Sequence, residues 1–431
     1  MPSCDQRNVP EPPITFDLSA VTGPIETARG LPNICYVDDG YFALERERLF
    51  ARGWACIGVG ADLPRPGDQQ PVDLVGWPLL MVRGRDDAVR VFHNVCSHRG
   101  AALLDRPGNA PTIRCPYHSW TYDLTGRLVR TPDFGGPGVD EVPAIPKGEL
   151  GLREVRSGCW FDFIFVNMDG KAERLDEWLR PLQQHWAHYA LDQLRHGGSA
   201  DFTVRANWKL ATENTIEYYH LPWVHPALNG YSPTHAHYHC NAGNRFVGTA
   251  TRDYRPAAGG KLLPQFPNLT AEQQLVGEYP VVFPNLWLGV QVDHFFAMVI
   301  YPQSPALTAE RLHLYFIGDA AMGADYAATR ADIIELWRAI NLEDIGITER
   351  LQRGRASPGF DGGRLSPVQD FGSHHFMRAV ARLHDGDLNR PIAICRSRDR
   401  AARSAAAAAR RRNRRYRTRR AGSRASAPTA D

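Results

Sequence analysis

The stretch NVCSHRGAALLDRPGNAPTIRCPYHSW, residues 94–120, contains two cysteines and two histidines in a paired arrangement. Cys96 and His98 form the first pair, and after sixteen intervening residues Cys115 and His118 form the second. Thiolate sulfur and imidazole nitrogen are good ligands for zinc and for iron. Four such groups in two short loops therefore predict a metal centre.

Two kinds of metal centre agree with this ligand set. Zinc could be held as a Cys2His2 site. The favoured alternative is a [2Fe–2S] cluster with two thiolates on one iron and two imidazoles on the other. Its reduction potential would lie well above that of an all-cysteine cluster. Such a cluster can accept electrons from a ferredoxin-like donor and pass them to an oxygen-activating iron.

The composition is that of a globular protein with a basic end. The chain has 431 residues, 43% hydrophobic and 23% charged, which suggests two or three domains. The net charge is +3, but residues 390–431 contain fourteen Arg and two Asp, which leaves −9 for the remainder. We find no apolar run long enough for a membrane span and no signal-peptide pattern. The eight thinly spread cysteines favour a reducing cytoplasm.

Secondary-structure signals divide the chain into four parts. Residues 1–40 are Pro-rich and are predicted to form an N-terminal arm. Residues 41–165 begin with an amphipathic helix, Tyr41–Trp54, and continue with short β-rich runs, which predicts an all-β domain holding both Cys–His pairs. Residues 166–389 mix strand and long helix patterns, which predicts an α+β domain. Residues 390–431 are predicted to be a disordered Arg/Ala-rich tail, with nucleic-acid binding as the less favoured reading.

A second set of metal ligands lies in residues 207–226, NWKLATENTIEYYHLPWVHP. If this segment is helical up to its first proline, Glu213, Glu217 and His220 share one face. His225 follows the proline, where a loop can turn it back toward His220. Two imidazoles with one carboxylate form the facial triad of non-haem Fe(II) oxygenases, which leaves positions open for O2 and substrate.

The remaining carboxylate is expected on another, buried element. A long helix predicted between residues 325 and 354 has Asp344 on its apolar stripe. Because a buried carboxylate without a partner is costly, Asp344 is predicted to bind a cation or metal. The stripe consists of Ile333, Trp337, Ile340, Ile347 and Leu351. The residues expected to be solvated are Glu335, Glu343 and Glu349.

Both motifs resemble those of Rieske non-haem iron oxygenase large (alpha) subunits. The first stretch resembles the Rieske motif, including Arg99–Gly100 after the first His and Trp120 after the second. The second resembles the family's catalytic-iron motif, D/E-x-x-H-x-x-x-x-H, and LEDIGITERLQRG (342–354) resembles the helix that carries its Asp ligand. The resemblance implies that the cluster is held by Cys96, His98, Cys115 and His118. It implies that one Fe(II) is held by His220, His225 and Asp344.

The resemblance also implies a fold and partners. The fold would be α+β, with an all-β Rieske domain and a helix-grip-like catalytic domain. In this family a homotrimer sets one subunit's cluster beside its neighbour's iron, and a carboxylate at the place of Glu217 bridges the two sites. O2 would be the co-substrate. Because no dinucleotide or flavin motif is found, a separate ferredoxin- or flavin-type reductase would supply electrons from NAD(P)H. We expect no membrane and no nucleic-acid partner.

The substrate is indicated less directly. Glu217 within EYYH looks more like the branch that oxidises quaternary ammonium compounds, such as the glycine betaine and carnitine monooxygenases, than like the many aromatic-ring dioxygenases with Asp there. Hydroxylation next to nitrogen would cleave a C–N bond. Two alternatives stay open: an aromatic ring-hydroxylating mono- or dioxygenase, and a Rieske electron-transfer protein with an inactive second domain.

Aromatic and histidine side chains near the second motif supply further candidates. A cationic methylammonium group can bind against aromatic faces. Candidates for such a role are Tyr218, Tyr219, Trp223, Trp287, Phe295, Phe296 and Tyr301. The alternating His235, His237 and His239 are expected on an exposed strand or loop rather than at a metal.

Overall fold

The protein is described by a computed structural model, and several parts of the chain lie outside the description. The chain divides into two units, residues 1–390 and Pro391–Asp431. The second unit, and with it nearly all of the predicted tail, lies outside the described residues, as do residues 1–16 of the predicted arm. The described residues are 17–242, 245–255, 261–360 and 362–382. Within them, no helix is long and apolar enough to cross a membrane.

The N-terminal segment is more helical than its proline content suggested. Asp38 caps its third helix by accepting a hydrogen bond from the backbone N–H of Tyr41 at 2.8 Å. The predicted helix over 41–54 is shorter than expected and ends in a π-helical turn, Arg46–Phe50. Its most buried face includes a carboxylate, Glu45, which pairs with Lys209 of the following α+β region at 2.7 Å. The three helices are α1 (Ser19–Thr22), α2 (Ile34–Val37) and α3 (Asp39–Glu45).

The following region consists of short antiparallel strands, as the sequence predicted. They form three sheets, in the orders β1-β10-β9, β4-β3-β2-β5 and β6-β7-β8. The strands are β1 (Ala55–Val59), β2 (Asp68–Leu74), β3 (Trp77–Arg83), β4 (Val89–His93), β5 (Gly108–Asn109), β6 (Ile113–Arg114), β7 (Thr121–Tyr122), β8 (Leu128–Arg130), β9 (Arg156–Trp160) and β10 (Phe163–Asn167). Strands β9 and β10 form a hairpin, with Phe161 in a left-handed conformation (φ 55°) between them.

A seven-stranded antiparallel sheet forms the second region. Its order is β11-β17-β16-β15-β14-β13-β12. The strands are β11 (Leu194–Val204), β12 (His237–Ala242), β13 (Phe246–Thr251), β14 (Gly277–Val282), β15 (Leu286–Val290), β16 (His294–Ser304) and β17 (Leu307–Ile317). Residues 284–302 contain β15 and most of β16, which pair with each other.

Helices pack against this sheet and complete a helix-grip-like α+β domain. They are α4 (Leu175–His185), α5 (Trp208–Thr215), α6 (Leu221–Val224), α7 (Pro226–Tyr231), α8 (Gly318–Ala321), α9 (Ala327–Arg355) and α10 (Phe371–Ala381). The longest, α9, confirms the predicted helix and contacts both α5 and β11. The mixed architecture agrees with the predicted fold class.

The apolar stripe predicted on α9 was wrong by about one position. The buried residues of this helix are Ile333, Asn341, Thr348, Gln352 and Arg355. Leu351, which was assigned to the stripe, is 43% exposed. The buried face is largely polar. Asn341, Gln352 and Arg355 can be buried because each donates a hydrogen bond to a group outside the helix. Hydrophobic periodicity alone therefore could not locate that face.

Candidate metal centres and substrate cavity

Two loops of the same shape hold the first four predicted ligands. In the first loop the backbone N–H of Cys96 donates to Ala101 O, and the N–H of Gly100 donates to Cys96 O. In the second loop the N–H of Cys115 donates to Trp120 O, and the N–H of Ser119 donates to Cys115 O. All four distances lie between 2.8 and 3.1 Å. Gly100 and Ser119 occupy the same place in their loops. Both have positive φ angles, 74° and 57°. The backbone thus closes each loop independently of a metal.

The structure brings the four side chains of these loops together. The rings of His98 and His118 lie 4.8 Å apart, and both cysteines are buried. His98 stacks on Trp120 at 4.6 Å, and its Nδ1 is buried without a hydrogen-bond partner in the described part of the chain. Desolvation, aided by neighbouring His118, lowers the pKa of His98 and keeps its imidazole neutral. A neutral ring with a free buried nitrogen fits a metal ligand.

Tyr122 adds a hydrogen bond at the sulfur side. Its hydroxyl lies 3.2 Å from Cys96 Sγ and accepts from the backbone N–H of Ser97 at 3.1 Å. Because its acceptor capacity is used in this way, the phenol can donate its own proton to a Cys96 thiolate. Hydrogen bonds to cluster sulfurs raise the reduction potential of iron–sulfur centres.

The second site departs from the predicted single helix. Helix α5 ends at Thr215, and Glu217 to His220 form a turn rather than a continuation. Glu213 therefore does not share a face with Glu217 and His220, which corrects the prediction. Its carboxylate accepts from Tyr36 at 2.6 Å and lies 3.8 Å from Arg355, away from the histidines.

Glu217 stabilises the turn that presents His220. One carboxylate oxygen accepts from the backbone N–H of both Tyr219 and His220, and the other contacts His220 Nδ1. His220 Nε2 then remains for a metal. Because both oxygens of Glu217 are occupied by the turn and by the ring of His220, the structure places it beside a ligand and not among the ligands.

The three predicted iron ligands converge. The ligand atoms of His220, His225 and Asp344 all lie within 4.8 Å of one another, and this is the one such group found among the described residues. Asp344 Oδ1 lies 2.8 Å from His225 Nε2 and 3.5 Å from His220 Nε2. Asp344 is 22% exposed, less buried than predicted, because it faces a cavity. Two imidazoles and a carboxylate on one side fit a facial Fe(II) site.

Glu343 is solvated, as expected, and it also contacts one of the predicted ligands. It is 50% exposed, yet its Oε2 lies 2.6 Å from His225 Nδ1. Burial alone would lower the pKa of His225, but Asp344 and Glu343 together raise it. A carboxylate on the far nitrogen fixes the orientation of a metal-binding imidazole. Asp344 is similarly oriented by Asn214, whose Nδ2 donates to Asp344 Oδ1 at 2.6 Å.

Comparison with known proteins assigns both regions. Residues 53–146 match the Rieske [2Fe–2S] domain. Residues 191–386 match the catalytic domain of the ring-hydroxylating alpha subunit. The chain thus contains both domains of the Rieske oxygenases. It is therefore an oxidoreductase whose two domains imply an iron–sulfur cluster and a mononuclear iron.

The relatives of this oxygenase include proteins named for quaternary ammonium substrates. It is 28% identical over 381 residues to the glycine betaine monooxygenase oxygenase subunit of Chromohalobacter salexigens, covering 80% of this chain and 84% of the relative. It is 28% identical over 366 residues to the carnitine monooxygenase oxygenase subunit of Escherichia coli K12, covering 82% and 93%. A solved quaternary ammonium Rieske monooxygenase shares the fold, with a TM-score of 0.73 at 24% identity over 86% and 99%.

A cavity adjoins the candidate iron ligands of the oxygenase. It encloses about 770 Å³, including its open mouth. One wall is the face of the large sheet and another is α9. The aromatic side chains that line it are Tyr279, Trp287, Phe296 and Trp337. Of these, Trp287 and Phe296 were predicted candidates, whereas Phe295 and Tyr301 are outside the lining, as are Tyr218, Tyr219 and Trp223.

Histidines 237 and 239 are placed differently from the prediction. Both lie on β12 and are partly buried, not exposed, and the ring of Tyr218 lies 5.3 Å from one and 5.0 Å from the other. His237 lines the cavity. The alternation of the histidines indicated a strand but could not show which face met a cavity. His235 is exposed, as expected.

Proposed function

We propose that this chain is the terminal oxygenase of an O2-dependent system and hydroxylates a methylated or quaternary amine, with cleavage of a C–N bond. The observation that carries the proposal is the convergence of His220, His225 and Asp344 on the wall of an aromatic-lined cavity. The names of the relatives and Glu217 within EYYH support the substrate class.

Each residue of the site has a separate task. Cys96, His98, Cys115 and His118 would hold the cluster, and the facial triad would hold Fe(II). When bound, the iron supplies O2 activation with electrons from the cluster. Asn214 and Glu343 orient the ligands, Glu217 positions His220, and the cavity walls exclude water and hold the substrate.

The partners follow from the same assignment. We propose that a separate ferredoxin- or flavin-type reductase delivers electrons from NAD(P)H. A homotrimer is supported by two large side chains next to the ligands, Tyr219 and Trp223, which are 56% and 79% exposed. In a trimer the cluster-bearing domain of a neighbouring subunit would cover them. Glu217 would then bridge that subunit's cluster and the iron of this chain. None of the six cysteines in the described residues forms a disulfide, which supports a reducing cytoplasm.

Aromatic hydroxylation remains the second candidate. The cavity lining is mostly apolar and aromatic, which also suits a flat ring. An electron-transfer protein with an inactive second domain is disfavoured, because such a protein has no use for converging histidine and carboxylate ligands.

The experiment is a turnover assay under 18O2. The full-length chain with both metals is combined with a generic reductase and with either a panel of methylated amines or simple aromatic acids. Oxygen-18 in the product or in the released aldehyde of an amine supports the proposal. Labelled products from the aromatic acids alone favour the second candidate, and reduction of the cluster without any product from either panel contradicts an oxygenase role.

A further inference from the structure

We propose that the cavity selects an ammonium compound whose other end is uncharged, and that it discriminates against betaines, which carry a carboxylate. This inference rests on the proposed function, because it assumes an amine substrate. The charge of the lining, the orientation of one tryptophan and the polar groups of the wall carry it.

The lining of the cavity carries negative charge without a balancing side chain. Glu217 and Asp344 belong to the wall, and no Lys or Arg is among the described residues that line it. A carboxylate entering this largely apolar space would lose water without gaining a fixed cation. The predicted iron would not serve as that cation, because Asp344 would bind it and Glu217 lies against its ligand His220. These two carboxylates balance its charge.

Three aromatic rings pack together in the wall of the cavity. Trp337 and Phe296 have ring centroids 4.2 Å apart, and Tyr279 stacks beside Phe296 at 6.3 Å. Gly289 makes this packing possible, since a Cβ there would come within 2.0 Å of the Phe296 ring. The faces of such rings attract a methylated ammonium group, most strongly where water is excluded.

A buried relay keeps the one polar atom of Trp337 out of this wall. The indole N–H donates to His294 Nε2 at 2.8 Å, and His294 Nδ1 donates to Asp293 Oδ1 at 2.8 Å. His294 and Asp293 are 2% and 4% exposed. Because the N–H is engaged in the protein interior, Trp337 offers its ring and not its donor to a bound molecule.

Two further polar groups of the lining, on His237 and Trp287, suit a hydroxyl better than a carboxylate. His237 Nδ1 donates to the carbonyl of Pro233 at 3.0 Å, so Nε2 of the neutral ring is an acceptor, 3.5 Å from Ser232 Oγ. Burial lowers the pKa of His237 and keeps it neutral. Trp287 is 5% exposed, and its indole N–H has no partner in the part of the chain that is described. A hydroxyl can use both an acceptor and a donor, whereas a carboxylate only accepts.

The test compares four probes on the intact holoenzyme with its reductase: choline, glycine betaine, carnitine and 3,3-dimethyl-1-butanol, the uncharged isostere of choline. We expect kcat/KM for choline to exceed that of both betaines and of the isostere by about tenfold or more, the scale of one cation–π contact in a dry site. A preference for glycine betaine or carnitine overturns this inference and leaves the proposed function intact. Turnover of aromatic acids alone overturns the proposed function itself.

Variants of the relay test the same inference at single residues. Trp337→Leu should raise KM for choline about tenfold with a smaller change in kcat, whereas Trp337→Phe should retain a KM near wild type. His294→Asn should raise KM by a smaller factor without altering the cluster spectrum. An unchanged KM in Trp337→Leu overturns the role of the wall. A competition assay on the wild type does not depend on the folding of these variants. We expect tetramethylammonium, but not acetate, to inhibit choline turnover competitively. Inhibition by acetate and not by tetramethylammonium overturns the proposal.

Discussion

The predicted cluster loops and the predicted iron site are built in opposite ways. All four cluster residues lie between Cys96 and His118, on two loops that their own backbone hydrogen bonds close. The iron site joins a turn after α5 to the middle of α9, and His225 and Asp344 are 119 positions apart. The first site is local in sequence, and the second requires the whole catalytic domain to be folded.

Because of this difference, a ligand should be removable from one site without affecting the other site. We expect that a cluster ligand can be removed without disturbing α9, and that an iron ligand can be removed without disturbing the loops. The two regions also differ in how their ligands are supported. The cluster side relies on backbone geometry and one phenol, whereas the iron side relies on carboxylates and an amide, Glu217, Glu343 and Asn214.

The largest expected effect is loss of the cluster alone. Cys96→Ser should abolish the mixed His/Cys cluster signal in electron paramagnetic resonance and reduce turnover at least about a thousandfold, because no other group delivers electrons. The mononuclear iron should remain, since its ligands lie on other elements. Iron analysis after reconstitution checks this, and simultaneous loss of the mononuclear iron would show that the two regions are not independent.

The next effect concerns the carboxylate proposed to link the regions. Glu217→Gln should keep the iron content but slow reoxidation of the cluster in a single turnover by about 10- to 100-fold, as expected for a group behind a ligand. Glu213→Gln is the matched control, because Glu213 contacts Tyr36 and not the histidines. Stopped-flow absorbance follows the cluster. Equal rates in wild type and Glu217→Gln would exclude the link.

A smaller effect is expected from the orienting carboxylate on α9. Glu343→Gln should weaken iron binding about tenfold, because it removes the charge that fixes His225. Glu335→Gln is the control on the same helix, since Glu335 is exposed and contacts only Arg338 among its described polar partners. Competition with a chelator measures both affinities. If the two variants lose iron equally, the contact with His225 has no role.

The smallest effect is on the cluster side. Tyr122→Phe should lower the reduction potential by about 40 mV, the one-electron equivalent of a hydrogen bond of about 1 kcal/mol. Tyr117→Phe, at an exposed ring beside His118, should leave it unchanged. A redox titration monitored by electron paramagnetic resonance compares them. A potential that is unchanged in Tyr122→Phe would mean that its hydroxyl does not act on Cys96.

The two regions also differ in how far the sequence could predict them. In the cluster loops the sequence predicted that the four side chains meet, because ligand spacing within a loop fixes their proximity. His220, His225 and Asp344 were predicted to converge, and they do. Two helix arguments behind that prediction were wrong: α5 does not continue to His220, and the buried face of α9 is not the predicted apolar stripe. Glu213 points to Tyr36 because α5 ends at Thr215.

What the sequence could not show depends on contacts between distant elements. The polar buried face of α9 is satisfied by groups such as Glu310, which accepts from Asn341. The wall of Tyr279 and Trp337 joins residues of a strand and a helix. No periodicity within either element reveals a shared cavity, and the relay from Trp337 to Asp293 is equally invisible before folding.

The central claim is that the catalytic domain holds an iron of its own, and iron counting tests it most directly. The wild type should contain about three irons per chain, two in the cluster and one at the triad. His220→Ala and Asp344→Ala should each contain about two, with an unchanged cluster spectrum and no turnover. A wild type with only the two cluster irons, or an Asp344→Ala variant that keeps the third iron and its activity, would contradict the account.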